Sequence, residues 1–240
     1  MRDWLRVYLP IFLLVVAGFA LAYSFLDPLP PRQLTIAAGN PDGAYFLYAE
    51  RYRERLAQDG IEVAIIATSG SVENVALLAD PESGVDVAFV QSGTGDATAH
   101  PELVSLASLY YEPLWTVVPV PPPDGFMALA GGRLAVGSEG SGTRAIAIQL
   151  LADNDLGPAD ATLLAAGPVE GAALLRAGEA DAVLQVGAQI HPALEALIDE
   201  PGFALLDFDR ALAYARRHRY LSAVTVPEGM ISLADNIPET

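Results

Sequence analysis

Leu34-Thr-Ile-Ala-Ala-Gly-Asn-Pro-Asp-Gly-Ala-Tyr45, Val63-Ala-Ile-Ile-Ala-Thr-Ser-Gly-Ser-Val-Glu-Asn74 and Leu134-Ala-Val-Gly-Ser-Glu-Gly-Ser-Gly-Thr-Arg144 share one design. In each, a short apolar run enters a tight polar turn and leaves it as a helix-like stretch. Such a junction sets free backbone N–H groups and a helix N-terminus at the carboxyl end of a strand. Open α/β sheets bind ligands there, and an anionic group is stabilised there. One such turn carries little information. Three of them, on two separated segments, predict a shared cleft.

Outward from these turns, short apolar runs alternate with amphipathic stretches, the pattern of βαβ units. Strands are predicted at Leu34–Ala38, Glu62–Ala67, Asp86–Val90 and Leu103–Leu109, with helices at Ala44–Gln58 and Val72–Ala79 between them. Leu114–Val120 is a further apolar run leading into Pro121-Pro-Pro-Asp-Gly125, read as a boundary. The pattern then restarts with strands Arg133–Val136, Ala161–Ala165, Ala182–Val186 and Phe203–Asp207. The helices alternating with them are Thr143–Asn154, Val169–Ala177 and Pro192–Ile198. The expected organisation is a first α/β lobe over 33–120, a second over 121–220, and a crossover over 221–240 returning to the first. Hinges are expected near Val117–Val120 and Tyr220–Val226. Two lobes joined by extended crossovers enclose a cleft, a preferred place for a ligand.

Thirty acidic residues face thirteen basic ones, every one of them Arg, for a net charge of −17. Nucleic acid is excluded as a partner, since its affinity comes from neutralising phosphates. Without Lys there is no Schiff base and no Walker lysine. Without Cys there is no disulfide, thiolate nucleophile or thiolate metal site. His100, His191 and His218 stand in no metal-ligand spacing, and no G-x-S-x-G elbow is present. Catalytic residues, metals and cofactors are therefore not expected, and an enzyme is the weakest of three readings.

Tyr8–Leu26 carries no charge, with Arg2 and Arg6 before it and Asp27 after it. As a helix it spans about 28 Å, close to the hydrocarbon core of a bilayer. The arginines place the N-terminus in the cytoplasm and the rest of the chain outside. Two readings stand: a retained anchor, favoured by length, and a cleaved signal, favoured by Ala20-Leu-Ala22. Residues 1–32 thus form an anchor or signal with a stiff Asp27–Arg32 tether, and the soluble part is expected to be periplasmic or extracellular.

The candidate ligand-binding residues follow from the turns. The first supplies Asn40, Gly43 and Tyr45, which an ordinary β-to-α turn also explains. Ser69, Gly70, Ser71 and Asn74 form the second, with Ser71 read as N-cap and Asn74 at N3, so capping competes with ligand binding. Ser138, Ser141, Gly142 and Thr143 form the third, where two glycines around a serine allow close backbone approach to an anion. Arg144 either completes a charge clamp or points to solvent. Gln91 and Ser92 close a strand at its carboxyl end. Tyr110, Tyr111 and Trp115 either wall the cleft or pack in the core.

The same residues carry a family resemblance. Gly39 with Gly43-Ala-Tyr45, Thr68-Ser-Gly-Ser-Val-Glu-Asn74, Val85-Asp-Val-Ala-Phe-Val-Gln-Ser92, Ser108-Leu-Tyr-Tyr-Glu-Pro-Leu114, Gly137-Ser-Glu-Gly-Ser-Gly-Thr-Arg144 and Gly178-Glu-Ala-Asp-Ala-Val183 resemble the TAXI-type solute-binding proteins of TRAP transporters. The resemblance runs from about Leu34 to Val226. It implies a type II periplasmic-binding-protein fold, each lobe a sheet flanked by helices, and a partnership with transporter membrane subunits. Family members continue past the position of Thr240, so it also implies that the first lobe is incomplete here. The anchor and tether resemble a membrane-anchored subgroup, bound to the inner membrane through one N-terminal transmembrane helix. The expected function is reversible closure over a small organic anion, amino-acid-like or dicarboxylate. A membrane-tethered sensory domain is the alternative, and a hydrolase the third.

Overall fold

The computed structural model describes residues 2–24, 32–96, 98–157 and 159–238, with backbone alone for 2, 3, 5–7, 22 and 24. In chain order the elements are α1 (Arg2–Ser24), β1 (Gln33–Gly39), α2 (Ala44–Ala57), β2 (Glu62–Ala67), α3 (Ser71–Ala79), β3 (Val87–Ala88) and β4 (Leu114–Pro119). They continue as β5 (Arg133–Ala135), α4 (Gly142–Asp153), β6 (Thr162–Leu164), α5 (Pro168–Arg176), β7 (Ala182–Val186), α6 (Pro192–Ile198), β8 (Phe203–Leu205) and α7 (Ala211–Arg217).

Two sheets organise the chain from Leu34 onward. The first has the order β2-β1-β3. Ile36, Ala37 and Ala38 are buried one after another because β1 is the middle strand, and a middle strand covered on both faces reads as a continuous apolar run. β1 and β3 run parallel with Ile36 opposite Val87 and Ala37 opposite Ala88. Backbone bonds from Asp86 N–H to Thr35 O and from Phe89 N–H to Ala37 O extend this short ladder at both ends.

The second sheet has the order β6-β5-β7-β4-β8. β5 pairs parallel with β6 and β7, while β4 lies antiparallel between β7 and β8. Alternation sends Leu134, Val136, Ala182, Leu184 and Val118 to one face, where Ile146, Ala147, Leu150 and Leu151 of α4 and Tyr214 of α7 cover them. Ala135, Val183 and Val117 point the other way, against Ala172 and Leu175 of α5 and Leu194, Leu197 and Ile198 of α6. Both faces are buried.

The sequence places Leu114–Val120 in the first lobe, with a hinge near Val117–Val120. Leu114–Pro119 is instead an interior strand of the second sheet, with Val117 and Val118 fully buried. The predicted strand Leu103–Leu109 does not form. Its residues belong to no element, and Val104 and Leu106 are 76% and 78% exposed. Tyr220–Val226 likewise belongs to no element. Asp86–Val90 contracts to β3, and α7 was not foreseen as a separate helix.

The N-terminal region is a compact unit of its own. α1 contains Pro10 and exposes large apolar side chains such as Leu13, Leu14 and Phe19. The apolar segment 8–26 ends outside the described residues, as does most of the Asp27–Arg32 tether. Among the described residues no helix is long and apolar enough to cross a membrane.

Candidate functional site

α3 and α4 begin where the two sheets meet. Each follows the carboxyl end of a strand, and their leading turns touch. Val72 N–H donates to Gly140 O across the seam at 3.0 Å. Gly70 has φ +133°, and a Cβ on it would lie 3.1 Å from Ser141 Cα, too close for one backbone to pass the other unchanged. A Cβ on Gly140 would meet Ser69 Oγ at 2.5 Å, and one on Gly142 would meet Gln91 Oε1 at 2.2 Å. At Gly70, where the neighbour is backbone and φ is positive, glycine is therefore required for the approach of the two segments, whereas at Gly140 and Gly142 the neighbours are side-chain tips. The second and third turns do converge, and the seam is shut.

The donors expected to face a ligand are engaged by the protein in this closed form. Ser71 is the first residue of α3 and Gly70 occupies the cap position, so the N-cap reading of Ser71 is corrected. Its hydroxyl accepts Gln91 N–H at 2.9 Å. Asn74 is fully buried, donates from Nδ2 to Phe89 O at 2.7 Å and accepts the Thr68 hydroxyl at 2.5 Å. It ties the ends of β2 and β3 together. Thr143 Oγ1 accepts Val186 N–H at 3.0 Å. Ser141 is the cap of α4, its hydroxyl accepting Arg144 N–H at 3.2 Å. Such caps contribute about 1 kcal/mol. Ser138 and Ser92 are exposed, and Gln91 is half-buried at the seam.

In the first turn, Asn40 Oδ1 accepts Asp42 N–H and Asn40 O accepts Gly43 N–H, the bonds of a local turn. Tyr45 reaches further. Its ring stacks on Phe89 with centroids 5.6 Å apart, and its hydroxyl donates to Glu112 Oε2 at 2.7 Å. Burial raises the pKa of the Tyr45 hydroxyl, and the Glu112 charge adds to the rise. The Glu112 carboxyl is itself pushed up by burial, against the lowering effect of the Tyr45 bond. Tyr110 Oη is buried without a partner, and burial raises its pKa as well. Trp115 belongs to the core, donating from Nε1 to Gly187 O at 2.9 Å, while Tyr111 is exposed.

Two residues at or near the seam, Glu73 and Glu112, were not among the expected contacts, and a third, Arg144, stood between a clamp and solvent. Glu73 accepts both Ser69 N–H at 2.7 Å and the Ser69 hydroxyl at 2.5 Å through one oxygen. These bonds hold its carboxyl below the usual range. A Glu at the third helical position is a capping signal that could have revealed it. Glu112 lay within a quoted motif but offered no local clue to its burial. Arg144 buries its Nη1 without an acceptor, which no sequence pattern announces. Among the described residues no cluster of His, Asp and Glu has the arrangement of a metal site.

With two sheets, their flanking helices and the seam between the strand ends in place, residues 36–238 also match the model of one protein family. The chain belongs to the NMT1-like family. Among solved structures, this NMT1-like chain is similar to the alkanesulfonate-binding protein SsuA from Xanthomonas axonopodis pv. citri bound to MOPS. The identity is 19%, the TM-score 0.51, and the match covers 79% of this chain and 69% of that one. It is similar also to an ancestral arginine-binding protein bound to arginine, at 13% identity and TM-score 0.52 over 73% of this chain and 79% of that one. The periplasmic aliphatic sulphonate binding protein SsuA from Escherichia coli matches at 17% identity and TM-score 0.47 over 78% and 67%. The chain spans between 55% and 69% of the length of the three sulfonate-binding proteins it matches. At 19% and 13% identity, the two likenesses with TM-scores above 0.5 establish the two-lobed binding-protein fold and nothing further. No curated protein matches the sequence.

Proposed function

We propose that this chain is an extracytoplasmic solute-binding receptor that opens and closes two lobes over a small organic anion. The observation that carries the reading is the meeting of the α3 and α4 turns, from different sheets, across one glycine-lined seam. Helix N-termini stabilise an anion by about 0.3–1 kcal/mol each when exposed and up to about 2 when partly buried. Opening frees the donors now engaged across the seam, Val72 N–H above all, and a ligand replaces the protein partner. Gln91, Ser92, Ser138, Ser141, Gly142 and Thr143 are the proposed contacts, with Ser69, Gly70, Ser71, Asn74 and the Asn40–Gly43–Tyr45 turn shaping the first-lobe wall. Binding and not turnover is the proposed activity.

Fold relatives that bind an alkanesulfonate analogue and arginine support a small-molecule ligand. The TAXI-like motifs support an amino-acid-like or dicarboxylate ligand delivered to TRAP-type membrane subunits, and the N-terminal segment supports tethering at the inner membrane. The test is thermal unfolding of the full chain scanned against glutamate, glutamine, succinate and related acids. A compound at about 100 times its dissociation constant adds about 2.7 kcal/mol of stability. A saturable rise for one compound is expected. A cooperative transition that no compound moves would sink the receptor reading.

A further inference from the structure

A second contact joins the two lobes, apart from the touching turns of α3 and α4. Gly93 belongs to the loop that leaves β3, and that loop is fixed to the first lobe. Gln91 N–H donates to Ser71 Oγ, and a Cβ on Gly95 would lie 3.8 Å from Val75 Cγ2 of α3. The ring of Tyr220, from the segment after α7, lies against Gly93. A Cβ on Gly93 would stand 2.5 Å from Tyr220 Cζ and 2.7 Å from Tyr220 Cδ2. Gly93 also has φ +89°, so backbone and ring together favour glycine there. Tyr220 is held on the second lobe. Its ring meets that of His218 with centroids 5.4 Å apart, and His218 Nε2 contacts Asp153 Oδ2 of α4 at 2.5 Å. Arg217 Nε at 3.1 Å and Gln149 Nε2 at 3.2 Å hold the other oxygen of Asp153. Leu221 N–H donates to His218 O, and Leu221 packs on the core cluster that α4 covers.

We propose that Tyr220 is an interlobe clasp: its ring, carried by the Asp153–His218 pair, seats on Gly93 and stabilises the closed form. The ring suits this task because it is rigid, with few rotatable bonds to order, and packs flat apolar area against bare backbone. It stands at the start of Tyr220–Val226, the segment read from the sequence as a hinge. The clasp therefore acts on the connection about which the lobes part. Tyr220 is a positioning residue, acting on closure and not on a ligand. A closed form held by a protein contact lowers the fraction open for entry, and apparent affinity falls with that fraction. The inference rests on the receptor reading only in needing lobes that part, and it does not depend on what the seam binds.

The chain has no Cys, so two introduced cysteines carry spin labels at chosen positions alone. Glu54→Cys on α2 and Ala173→Cys on α5 put one exposed label on each lobe of the full chain. Pulsed electron paramagnetic resonance then reads the distance between them. Tyr220→Ala should raise the open-to-closed ratio about two- to tenfold, the range for one lost aromatic contact. Tyr220 is 37% exposed, so its truncation leaves no core cavity; Tyr220→Leu serves if the alanine variant folds poorly. Tyr220→Phe keeps the ring and should match the parent, as should Tyr111→Ala, which removes an exposed tyrosine elsewhere. Gly93→Ala should open the lobes by displacing the ring, and should add nothing in a Tyr220→Ala background. Parent distances in a cooperatively melting Tyr220→Ala, or equal opening in Tyr220→Phe or Tyr111→Ala, overturn the proposal. Further opening by Gly93→Ala once the ring is gone also overturns it, because backbone strain would then be the cause. Opening in Tyr220→Ala while no acid of the thermal scan binds supports the clasp and counts against the receptor. A bound acid with unchanged distances defeats the clasp alone.

Discussion

The two sheets are made from the same kind of sequence and are protected very differently. The second carries a buried cluster on each face, anchored by α4 and α7 on one side and by α5 and α6 on the other. The buried hydrophobic residues of the first are Ile36, Ala37, Ala38, Ala49, Val63, Val75 and Phe89, five of which form its one core cluster. Val104, Leu106 and Val224, outside any strand or helix, stay in solvent. Apolar area removed from water contributes roughly 25 cal/mol per Å², so the second sheet is the stable platform and the first the half that opens at lower cost. A receptor whose lobes part and rejoin gains from such inequality, because the moving half can adjust without loosening the other.

The sharpest way to break this comparison is to damage each core and watch both. Leu194→Ala, at a fully buried position under the second sheet, should cost about 2–5 kcal/mol. It should raise hydrogen exchange throughout β4, β5 and β7. Ile36→Ala in the first sheet should release β1 and β3 amides while β7 stays protected. Equal loss of protection everywhere in both variants would mean a single cooperative unit and would end the argument.

Charge networks give the next largest effect. The side chain of Asp153 is 3% exposed, and it meets Arg217 Nε at 3.1 Å and His218 Nε2 at 2.5 Å, joining α4 to the end of α7. Hydrogen bonds to a charged group contribute about 1.5–3 kcal/mol, and Asp153→Asn should lower stability by that order in urea unfolding. Asp59 pairs with Arg55 while 59% exposed, and Asp59→Asn should change almost nothing. A loss at Asp59 as large as at Asp153 would overturn the distinction.

Much of this contrast was invisible in the sequence, and particular elements show why. Ala182–Val186 and Pro192–Ile198 were legible to the residue, because apolar periodicity and an N1 proline are local signals. Leu114–Val120 was legible only as an apolar run before a boundary, neither as a strand nor as a member of the second sheet, since an apolar run looks alike whichever sheet accepts it. Leu103–Leu109 has the composition of a strand, yet a strand exists only where another edge takes its hydrogen bonds. The convergence of the turns could be read from their repeated design. The engagement of Ser71 by Gln91 and of Asn74 by Phe89 could not, because those partners lie far along the chain.

At the seam the comparison can be tested with one methyl group. Gly70 has φ +133°, a region that side-chain-bearing residues rarely adopt, and its neighbour is the Ser141 backbone. Gly70→Ala should cost about 1–3 kcal/mol in local strain and part the turns. Small-angle scattering should show a larger radius of gyration, with β7 exchange unchanged. An unchanged radius would mean that the turns adapt without separating.

The smallest effects lie in the two carboxyls of the first-lobe wall, whose pKa shifts have opposite sign. Bonds from Ser69 lower Glu73. Its contribution to stability is present above the unfolded Glu value of about 4.3 and is lost as pH falls through its lower folded value. Burial raises Glu112. Its contribution is fully present below about 4.3 and is lost as pH rises through the raised folded value. Urea unfolding between pH 3 and pH 8 should therefore separate them. Glu73→Gln should lose stability at neutral pH and flatten the acid limb. Glu112→Gln should gain stability at neutral pH and flatten the profile above about 4.3. If both variants bent the profile in the same direction, the two acids would share one environment, and the division of the wall into a hydrogen-bonded carboxylate and a desolvated one would fail.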